Sequence, residues 1–353
     1  MLKISTGNLL DAEVDALVNT VNTEGVMGKG VALQFKKKFP EMYEPYRQAC
    51  EAGEVLPGKM HVFKRESLIG PRYIINFPTK RHWRSPSRLE DIASGLDALK
   101  LEIHRLKIHS VALPPLGCGN GGLNWPDVHR LIEEKLKSLE GVQVMIYPPA
   151  GSPDAATMAH HTPRPDMTPS RAIALKIWSR YLVLGYQLTL LEVHKLLYFL
   201  QEAGEPLKLR FAKDRYGPYA DNLRHVLHRL EGHLILGFAD GQNQPDTQID
   251  LLPGSVEVAD KFLNEQGDAS AESLKRLERV EELIEGYESP YGMELLATVH
   301  WAALHESGAD HGLERVRRVI NEWNPRKAEL MKPEHVELAW KRLSEKGWIT
   351  TQG

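Results

Sequence analysis

The sequence predicts an α/β domain, with helices flanking a mixed or mostly parallel β-sheet, followed by a mainly α-helical domain. Short apolar segments alternate with amphipathic ones up to about residue 150, and glycine-rich turns lie where strands should pass into helices. After a proline-rich stretch, apolar residues recur every three or four positions. The predicted organisation is residues 1–150 for the first domain, 151–169 for a linker and 170–353 for the second domain.

In the first domain, strands are predicted from short β-rich apolar runs and helices from apolar periodicity. The clearest helix covers residues 88–106, where a stripe contains Leu89, Ile92, Ala93, Leu96, Leu99, Ile103 and Leu106. Further helices are predicted at residues 31–38, 41–52 and 125–139. Strands are predicted at residues 2–4, 16–21, 61–64, 73–77, 110–113 and 142–147.

The predicted linker is rich in proline and poor in large apolar residues, so it cannot bury enough surface to fold alone. Beyond it, apolar periodicity predicts one helix after another. These helices are predicted at residues 170–184, 190–201, 221–230, 256–263, 271–285, 293–306, 312–321 and 333–346, with a loop or hairpin at 242–254.

Composition excludes several classes of protein. A formal charge of −3 gives no overall attraction to nucleic acid, so any such binding must come from local patches. Two cysteines, Cys50 and Cys118, are too few for a disulfide framework or a cysteine-rich zinc site. The N-terminus lacks a signal-peptide core and no run approaches 18 apolar residues. We expect a cytoplasmic protein with no membrane partner, no metal and no cofactor.

The most informative stretch is a glycine-rich turn between a predicted strand and a predicted helix. It reads Gly117-Cys118-Gly119-Asn120-Gly121-Gly122. Glycines allow several backbone N–H groups to converge, and a helix N-terminus adds more donors, so the turn suits a diphosphate. No Lys-Ser/Thr pair follows as in a P-loop. A purely structural tight turn is the alternative.

Two other predicted strands end in polar or glycine-containing turns. Asn8 and Leu9 follow the first strand, and Asn22 ends the second. Gly28, Lys29, Gly30 and Val31 then open the first helix, where backbone donors suit a second phosphate contact. An amide such as Asn22 suits a sugar hydroxyl, although its position taken in isolation favours a residue of an Asx-turn.

These segments, with Pro115-Leu116 and Leu123, match in order the ligand loops of macrodomains, which the first 150 residues resemble. The resemblance implies an α/β macrodomain fold and ADP-ribose as ligand. The ligand-binding residues that it implies are Asn8, Leu9, Asn22, Gly28, Lys29, Gly30, Val31, Gly117, Cys118, Gly119, Asn120, Gly121, Gly122 and Leu123.

Asn76-Phe77-Pro78-Thr79-Lys80, with Trp83, resembles the macrodomain branch that removes terminal ADP-ribose with a lysine. The whole chain resembles the antitoxins of the DarT–DarG toxin–antitoxin systems. That family is expected to hydrolyse ADP-ribose from thymine bases of single-stranded DNA, where the toxin DarT attaches it. The resemblance implies Lys80 as the nucleophile, with Thr79 and Trp83 as possible substrate contacts. From the residues alone, a solvated loop lysine is the favoured interpretation of Lys80, and the resemblance reverses this preference.

The resemblance has one departure and leaves several residues open. A related enzyme carries an acidic residue in its glycine loop, where this chain has Asn120-Gly121-Gly122. The nearest acid, Asp127, fits the plainer role of stabilising a helix N-terminus. Cys118 lies at a helix start but has no neighbouring histidine, which favours a loop-filling residue over a nucleophile. Exposed arginines that either contact DNA phosphates or are simply solvated are Arg81, Arg84 and Arg88.

In the second domain, residues 195–201 and Tyr216-Gly217-Pro218-Tyr219 resemble helical Panacea-type (SocA-like) antitoxin domains. This implies a domain that binds DarT and inhibits it. Three alternative functions stay open: a non-catalytic ADP-ribose reader, a hydrolase of ADP-ribosyl esters on protein, and a DNA-binding regulator. The absence of net positive charge disfavours the last.

Overall fold

A computed structural model of the chain describes residues 1–66, 69–151, 158, 160–183, 185, 187–239, 241, 244–306 and 312–349. The chain divides into two units. The first contains Met1–Pro163 and Ala239–Gln242, and the second contains Arg164–Phe238 and Asn243–Gly353. Of the predicted linker, residues 152–157 and 159 lie outside the described ranges.

The first unit is built on one six-stranded sheet. Its strands are β1 (Leu2–Ile4), β2 (Ala16–Asn22), β3 (His61–Lys64), β4 (Tyr73–Lys80), β5 (Ser110–Leu113) and β6 (Gln143–Ile146). Their order is β1-β6-β5-β2-β4-β3. All pairs are parallel except β3 with β4. The predicted mixed sheet is therefore confirmed.

Helices cover both faces of this sheet, as the alternating sequence pattern predicts. The helices α1 (Gly30–Lys38) and α2 (Tyr43–Glu51) share one core, which includes Phe35 and Tyr46. The helices α3 (Leu89–Arg105) and α4 (Trp125–Leu136) share the opposite core with Leu96 and Val128. Successive residues of β2 alternate between the two cores, as a strand buried on both faces requires.

A row of polar side chains crosses three strands inside the apolar sheet. Asn19 of β2 pairs in register with Asn76 of β4, which pairs with His61 of β3. The amide nitrogen of Asn19 donates to the amide oxygen of Asn76 over 2.9 Å, and the Asn76 nitrogen lies 3.0 Å from His61 Nδ1. Buried amides need such partners, so this row favours one register of β2 on β4.

The second unit is mainly helical, as predicted, with two small antiparallel β-pairs. Within the described residues no helix is both long and apolar enough to cross a lipid bilayer. Its helices are α5 (Pro169–Val183), α6 (Leu190–Glu202), α7 (Leu223–Leu230), α8 (Ser255–Gln266), α9 (Asp268–Ile284), α10 (Pro290–His305), α11 (Leu313–Trp323), α12 (Pro325–Leu330) and α13 (Pro333–Glu345). Its strands are β7 (Phe211–Asp214), β8 (Gly217–Ala220), β9 (Ile235–Leu236) and β10 (Asp250–Leu251).

The helices α6 and α10 form the centre of this unit, since nearly every residue of each is buried. The ammonium of Lys195 on α6 donates to the Pro218 carbonyl of β8 over 2.7 Å. A Cβ at Gly217 would lie 2.8 Å from Thr298 Oγ1 and 3.5 Å from Lys195 Nζ. The hairpin β7–β8 is therefore held closely against α6 and α10 by a buried lysine.

Gly95 provides a test of the packing between α3 and β4. A Cβ at this position would lie 2.2 Å from Phe77 Cζ, inside van der Waals contact. We expect Gly95→Ala to lower the free energy of unfolding by about 1–3 kcal/mol, because overpacking outweighs the gain in helix propensity. Urea unfolding followed by circular dichroism measures this change. Ser94→Ala, at the exposed neighbouring position, is the control; equal midpoints for the two variants would contradict the packing argument.

Candidate functional site

The sheet order creates a crevice between β2 and β5. From β2 the chain passes into α1 on one face, whereas from β5 it passes into α4 on the other. The loops that follow these two parallel, neighbouring strands therefore lead from the carboxyl ends of the strands to opposite faces of the sheet. In open α/β sheets this is where ligands bind. The two predicted glycine loops, residues 23–30 and 114–124, start at this point.

The loop after β5 leaves some backbone donors unused. The amide of Cys118 donates to the Pro115 carbonyl, and those of Gly122 and Leu123 donate to other loop carbonyls. Within the described part of the chain, the amides of Gly119, Asn120 and Gly121 have no such acceptor. Gly117 has φ of 71°, in the left-handed region that glycine tolerates best. The loop therefore has the free donors that an anionic ligand would use.

The loop after β2 ends in a second group of donors. The helix α1 starts at Gly30 and has no side-chain cap at Lys29, so its first amides are open to a ligand. Asn22 is buried, and its side chain holds this loop: its oxygen accepts from the amides of Glu24 (2.9 Å) and Val26 (3.3 Å). Its amide nitrogen donates to the Val26 carbonyl over 2.6 Å. The Asn22 side chain thus makes the hydrogen bonds of an Asx-turn residue, which the sequence offered as the alternative to a contact with a sugar hydroxyl.

Lys80 joins the end of β4 to the glycine loop. It pairs in register with Asn22 across a β-bulge, and its Nζ donates a hydrogen bond to the Asn120 carbonyl. Burial lowers the pKa of Lys80 below the usual lysine value of 10.5. Desolvation has this effect because it disfavours the charged form. The structure therefore brings together Lys80, Asn22 and Asn120, which the sequence separates by up to 98 positions (from 22 to 120).

The other predicted substrate contacts differ in their accessibility. Thr79 is buried, and its hydroxyl donates to the Val21 carbonyl over 3.4 Å. Trp83 is partly exposed; the His82 ring stacks on it with centroids 5.7 Å apart, and the Arg84 guanidinium lies 4.4 Å from its centroid. A stacked base would compete with these neighbours for the indole.

Among the three predicted arginines, Arg81 has an internal partner. Its guanidinium donates to the buried carboxylate of Asp91 over 2.9 Å. Arg84 and Arg88 are exposed and more suitable for contacts with phosphate. The pairing of Arg81 with Asp91 could not be inferred from sequence, because ten residues and a turn separate them.

Two predicted binding residues precede the crevice on the β1 side. Asn8 caps a short 3-10 helix, Leu9–Asp11, through a 3.0 Å bond from the Leu10 amide to its side-chain oxygen. Leu9 is buried in the core with α1 and α2. Asn8 and Leu9 thus have clear structural roles at the end of β1, and their contact with a ligand stays a prediction.

Sequence analysis missed Ser87, which lies against the glycine loop. Its amide donates to the Gly121 carbonyl over 2.9 Å, and its side chain is buried beside Gly117 and Gly121. The available sequence signal is weak: Ser87 follows Pro86 shortly before α3, where a serine usually suggests a helix cap.

Comparison with known proteins identifies the family. A family model described as "Macro domain" matches residues 18–132. A protein named DNA ADP-ribosyl glycohydrolase from Thermus aquaticus is 49% identical over 347 residues, which cover 98% of this chain and 94% of that protein. The chain belongs to the DNA ADP-ribosyl glycohydrolase family. The resemblance found from the sequence motifs is therefore confirmed, and the enzyme class of this family is that of a hydrolase.

Two further relatives each match 42% of the chain. A DNA ADP-ribosyl transferase-DNA ADP-ribosyl glycohydrolase fusion protein from Thermosipho africanus is 36% identical over 163 residues, covering 42% of each chain. Among solved structures, the macrodomain of Mycobacterium tuberculosis DarG is 53% identical and covers 42% of this chain and 99% of that one, with a TM-score of 0.42.

Cys118 provides a test of the electrostatics of the loop. Burial raises the pKa of its thiol to about 11, so at neutral pH the thiolate is scarce. In a Cys50→Ser variant, where Cys118 is the remaining cysteine, we expect alkylation by iodoacetamide at pH 7.5 to be on the order of 100-fold slower than for an unperturbed thiol. The rate should still be rising at pH 9. Labelling as fast as that of an exposed cysteine peptide would contradict the assignment.

Proposed function

We propose that the first unit hydrolyses ADP-ribose from thymine bases of single-stranded DNA, with Lys80 as the nucleophile. The observation that supports this role is the hydrogen bond from Lys80 Nζ to the Asn120 carbonyl, which puts the amine at the edge of a loop with free backbone donors. The similarity to the DNA ADP-ribosyl glycohydrolase of Thermus aquaticus supports the substrate. A substrate of this kind implies that the protein acts in the cytoplasm.

In this proposal the ligand lies across the crevice between β2 and β5. The free amides of residues 119–121 and the first turn of α1 bind the two phosphates of ADP-ribose. Arg84 and Arg88 bind phosphates of the neighbouring DNA strand. Backbone donors then fix the ligand, and the anomeric carbon of its distal ribose lies towards Lys80.

The chemistry follows from an amine that is partly desolvated. The neutral Lys80 amine forms a bond from Nζ to the anomeric carbon, while the bond from that carbon to the thymine nitrogen breaks. The electron pair leaves with the base nitrogen, which takes up a proton. Water then adds to the anomeric carbon and releases Lys80, so ADP-ribose and intact thymine are the products.

This route differs from that of glycosidases with two carboxylates. The described residues of the glycine loop include no acid, and Asp127 is paired with Arg130 over 2.6 Å on the surface of α4. Asp91, although buried near the site, is paired with Arg81. The lysine therefore carries the proposed covalent step without an assigned carboxylate partner.

Replacing the amine should abolish turnover. We expect Lys80→Ala to lower the rate of ADP-ribose release from a modified thymidine oligonucleotide by at least about 1,000-fold, because the covalent route is lost. Lys80→Arg, which keeps the charge but is not nucleophilic at neutral pH, should be equally inactive. The measurement is single-turnover release, followed by separation of the oligonucleotide from free ADP-ribose.

The pH dependence and binding provide the controls for this experiment. Because burial lowers the pKa of Lys80 and the neutral amine reacts, the rate should rise with pH through a midpoint below 10.5. ADP-ribose binding by Lys80→Ala, measured by calorimetry, reports whether the site is intact. A variant that binds ADP-ribose and still releases it from DNA at the wild-type rate would refute Lys80 as nucleophile. Release from an ADP-ribosylated protein but not from DNA would favour an ester hydrolase.

We further propose that the second unit binds the toxin DarT and inhibits it independently of hydrolysis. This unit has its own hydrophobic core, which includes Trp178, Phe199 and Leu296. The Thermosipho africanus relative, whose name joins a transferase and a glycohydrolase in one chain, supports the pairing of the two activities. The half-buried ring of Tyr216 has the guanidinium of Arg215 5.3 Å and that of Arg326 4.7 Å from its centroid, and Tyr219 on the same hairpin is exposed. Aromatic and arginine side chains of this kind suit a protein partner.

A catalytically inactive chain separates inhibition from reversal. We expect full-length Lys80→Ala to prevent modification of a thymidine oligonucleotide by DarT, with inhibition complete near one equivalent, because binding does not require the lysine. The measurement is incorporation of labelled ADP-ribose with DarT held constant. Lys80→Arg should inhibit equally. Continued modification in the presence of a large excess of the variant would show that protection depends on hydrolysis alone.

A further inference from the structure

Ser87 packs against the inner side of the glycine loop, next to Gly117 and Gly121. The residue is buried, and its side chain lies between two loop positions. A Cβ at Gly121 would lie 2.3 Å from Ser87 Oγ and 2.2 Å from the Gly117 carbonyl oxygen. A Cβ at Gly117 would lie 3.0 Å from Ser87 Cβ. Glycine is therefore needed at 117 and 121 because of this close approach, whatever ligand the loop binds.

The Ser87 amide fixes the peptide group that follows Gly121. The Gly121 carbonyl accepts from Ser87 N over 2.9 Å, and the N–H of the same peptide, from Gly122, donates to the Gly119 carbonyl over 3.1 Å. Both ends of this peptide are thus bound. The adjacent carbonyl, that of Asn120, accepts from Lys80 Nζ. One residue of chain therefore separates the anchor at Ser87 from the contact with Lys80.

The hydroxyl of Ser87 does not stabilise the fold at this position. Its Oγ is buried and, among the described residues, has no hydrogen-bond partner. Such an oxygen costs free energy relative to a methyl group in the same place. Ser87 Oγ and the Gly117 carbonyl oxygen both lie next to the place that a Cβ at Gly121 would occupy. The side chain of Ser87 therefore acts on the loop through its volume and its closeness to that carbonyl.

We infer that Ser87 is a positioning residue for the reaction at Lys80: it fixes the glycine loop, and through Asn120 it sets where the lysine amine lies. This inference rests on the proposed hydrolase function and adds to it a residue outside the ligand loops. The hydrogen bond of the Lys80 amine goes to the Asn120 carbonyl and not to Ser87. Its effect passes through the peptides between Gly121 and Asn120.

Enlarging Ser87 should displace the loop and change the titration of Lys80. In Ser87→Val one methyl group replaces the hydroxyl and a second is added against Gly117 and Gly121, so the Asn120 carbonyl moves away from Lys80 Nζ. Moving the loop also exposes the Lys80 amine to water, and because burial is what lowers its pKa, that pKa rises towards the usual lysine value. We expect kcat to fall at least about tenfold and the midpoint of the rising limb of the pH–kcat profile to move to higher pH.

A matched series separates positioning from general packing. Ser87→Thr keeps the hydroxyl and adds one methyl group, the same net increase in size as Ser87→Val, and should show the same two changes; it carries the test if Ser87→Val does not fold. Ser87→Ala, which adds no atoms, should lose about two- to fivefold in kcat without moving the limb. Ser94→Val makes the same chemical change on the exposed side of α3 and should keep the wild-type profile.

The results test the positioning role of Ser87 separately from the proposed hydrolase function. Folded Ser87→Val or Ser87→Thr with wild-type kcat and profile would overturn it, and so would a fall in kcat with an unmoved limb, which indicates packing alone. If wild-type protein released no ADP-ribose from DNA, or Lys80→Ala were active, the hydrolase proposal would fail first. If Lys80→Ala were inactive and the Ser87 variants behaved like the wild type, only the positioning role of Ser87 would be refuted.

Discussion

The parallel pairing of β2 between β4 and β5 is the constraint on which the site depends. Because all three strands run the same way, their carboxyl ends meet at one edge of the sheet. The row of Asn19, Asn76 and His61 favours one register there, because a slip of one residue would leave these buried amides without their partners. From that register, the β-bulge after Val21 sets Asn22 beside Lys80. The proposed catalytic arrangement thus depends in part on hydrogen bonds that lie in the middle of the sheet, away from Lys80.

Burial gives the lysine and the cysteine of the site opposite reactivities. It lowers the pKa of Lys80 and thereby favours the neutral nucleophilic form, whereas it raises that of Cys118 to about 11 and suppresses the thiolate. The same desolvation therefore favours the amine and disfavours the thiol as a nucleophile. The difference arises because a lysine loses its charge on deprotonation and a cysteine gains one.

Local patterns made much of the fold predictable, and contacts between distant segments account for the rest. The helix α3 and the strand–glycine–helix sequence around Gly117 follow from periodicity and turn chemistry within a few residues. The hairpin β7–β8 was not predicted as a pair of strands, because its burial depends on Lys195 of α6. Ser87 was missed for the same reason: its role is visible only when Gly121 lies against it. For Asn22, the sequence alone indicated both a turn role and a contact with a sugar hydroxyl, and it did not decide between them.

The free donors of the crevice belong to the main chain, and this has an evolutionary consequence. Backbone amides at residues 119–121 are supplied by any amino acid, so side chains such as Asn120 can drift without removing a donor. Tolerance ends where a Cβ has no room, at Gly117 and Gly121, and where the backbone is left-handed, as at Gly122 with φ of 76°. Mutational scanning of the loop should thus reveal permissive and intolerant positions that reflect steric space and backbone conformation and not ligand chemistry. A recognition surface of this kind can diverge widely in sequence while its specificity for one ligand persists.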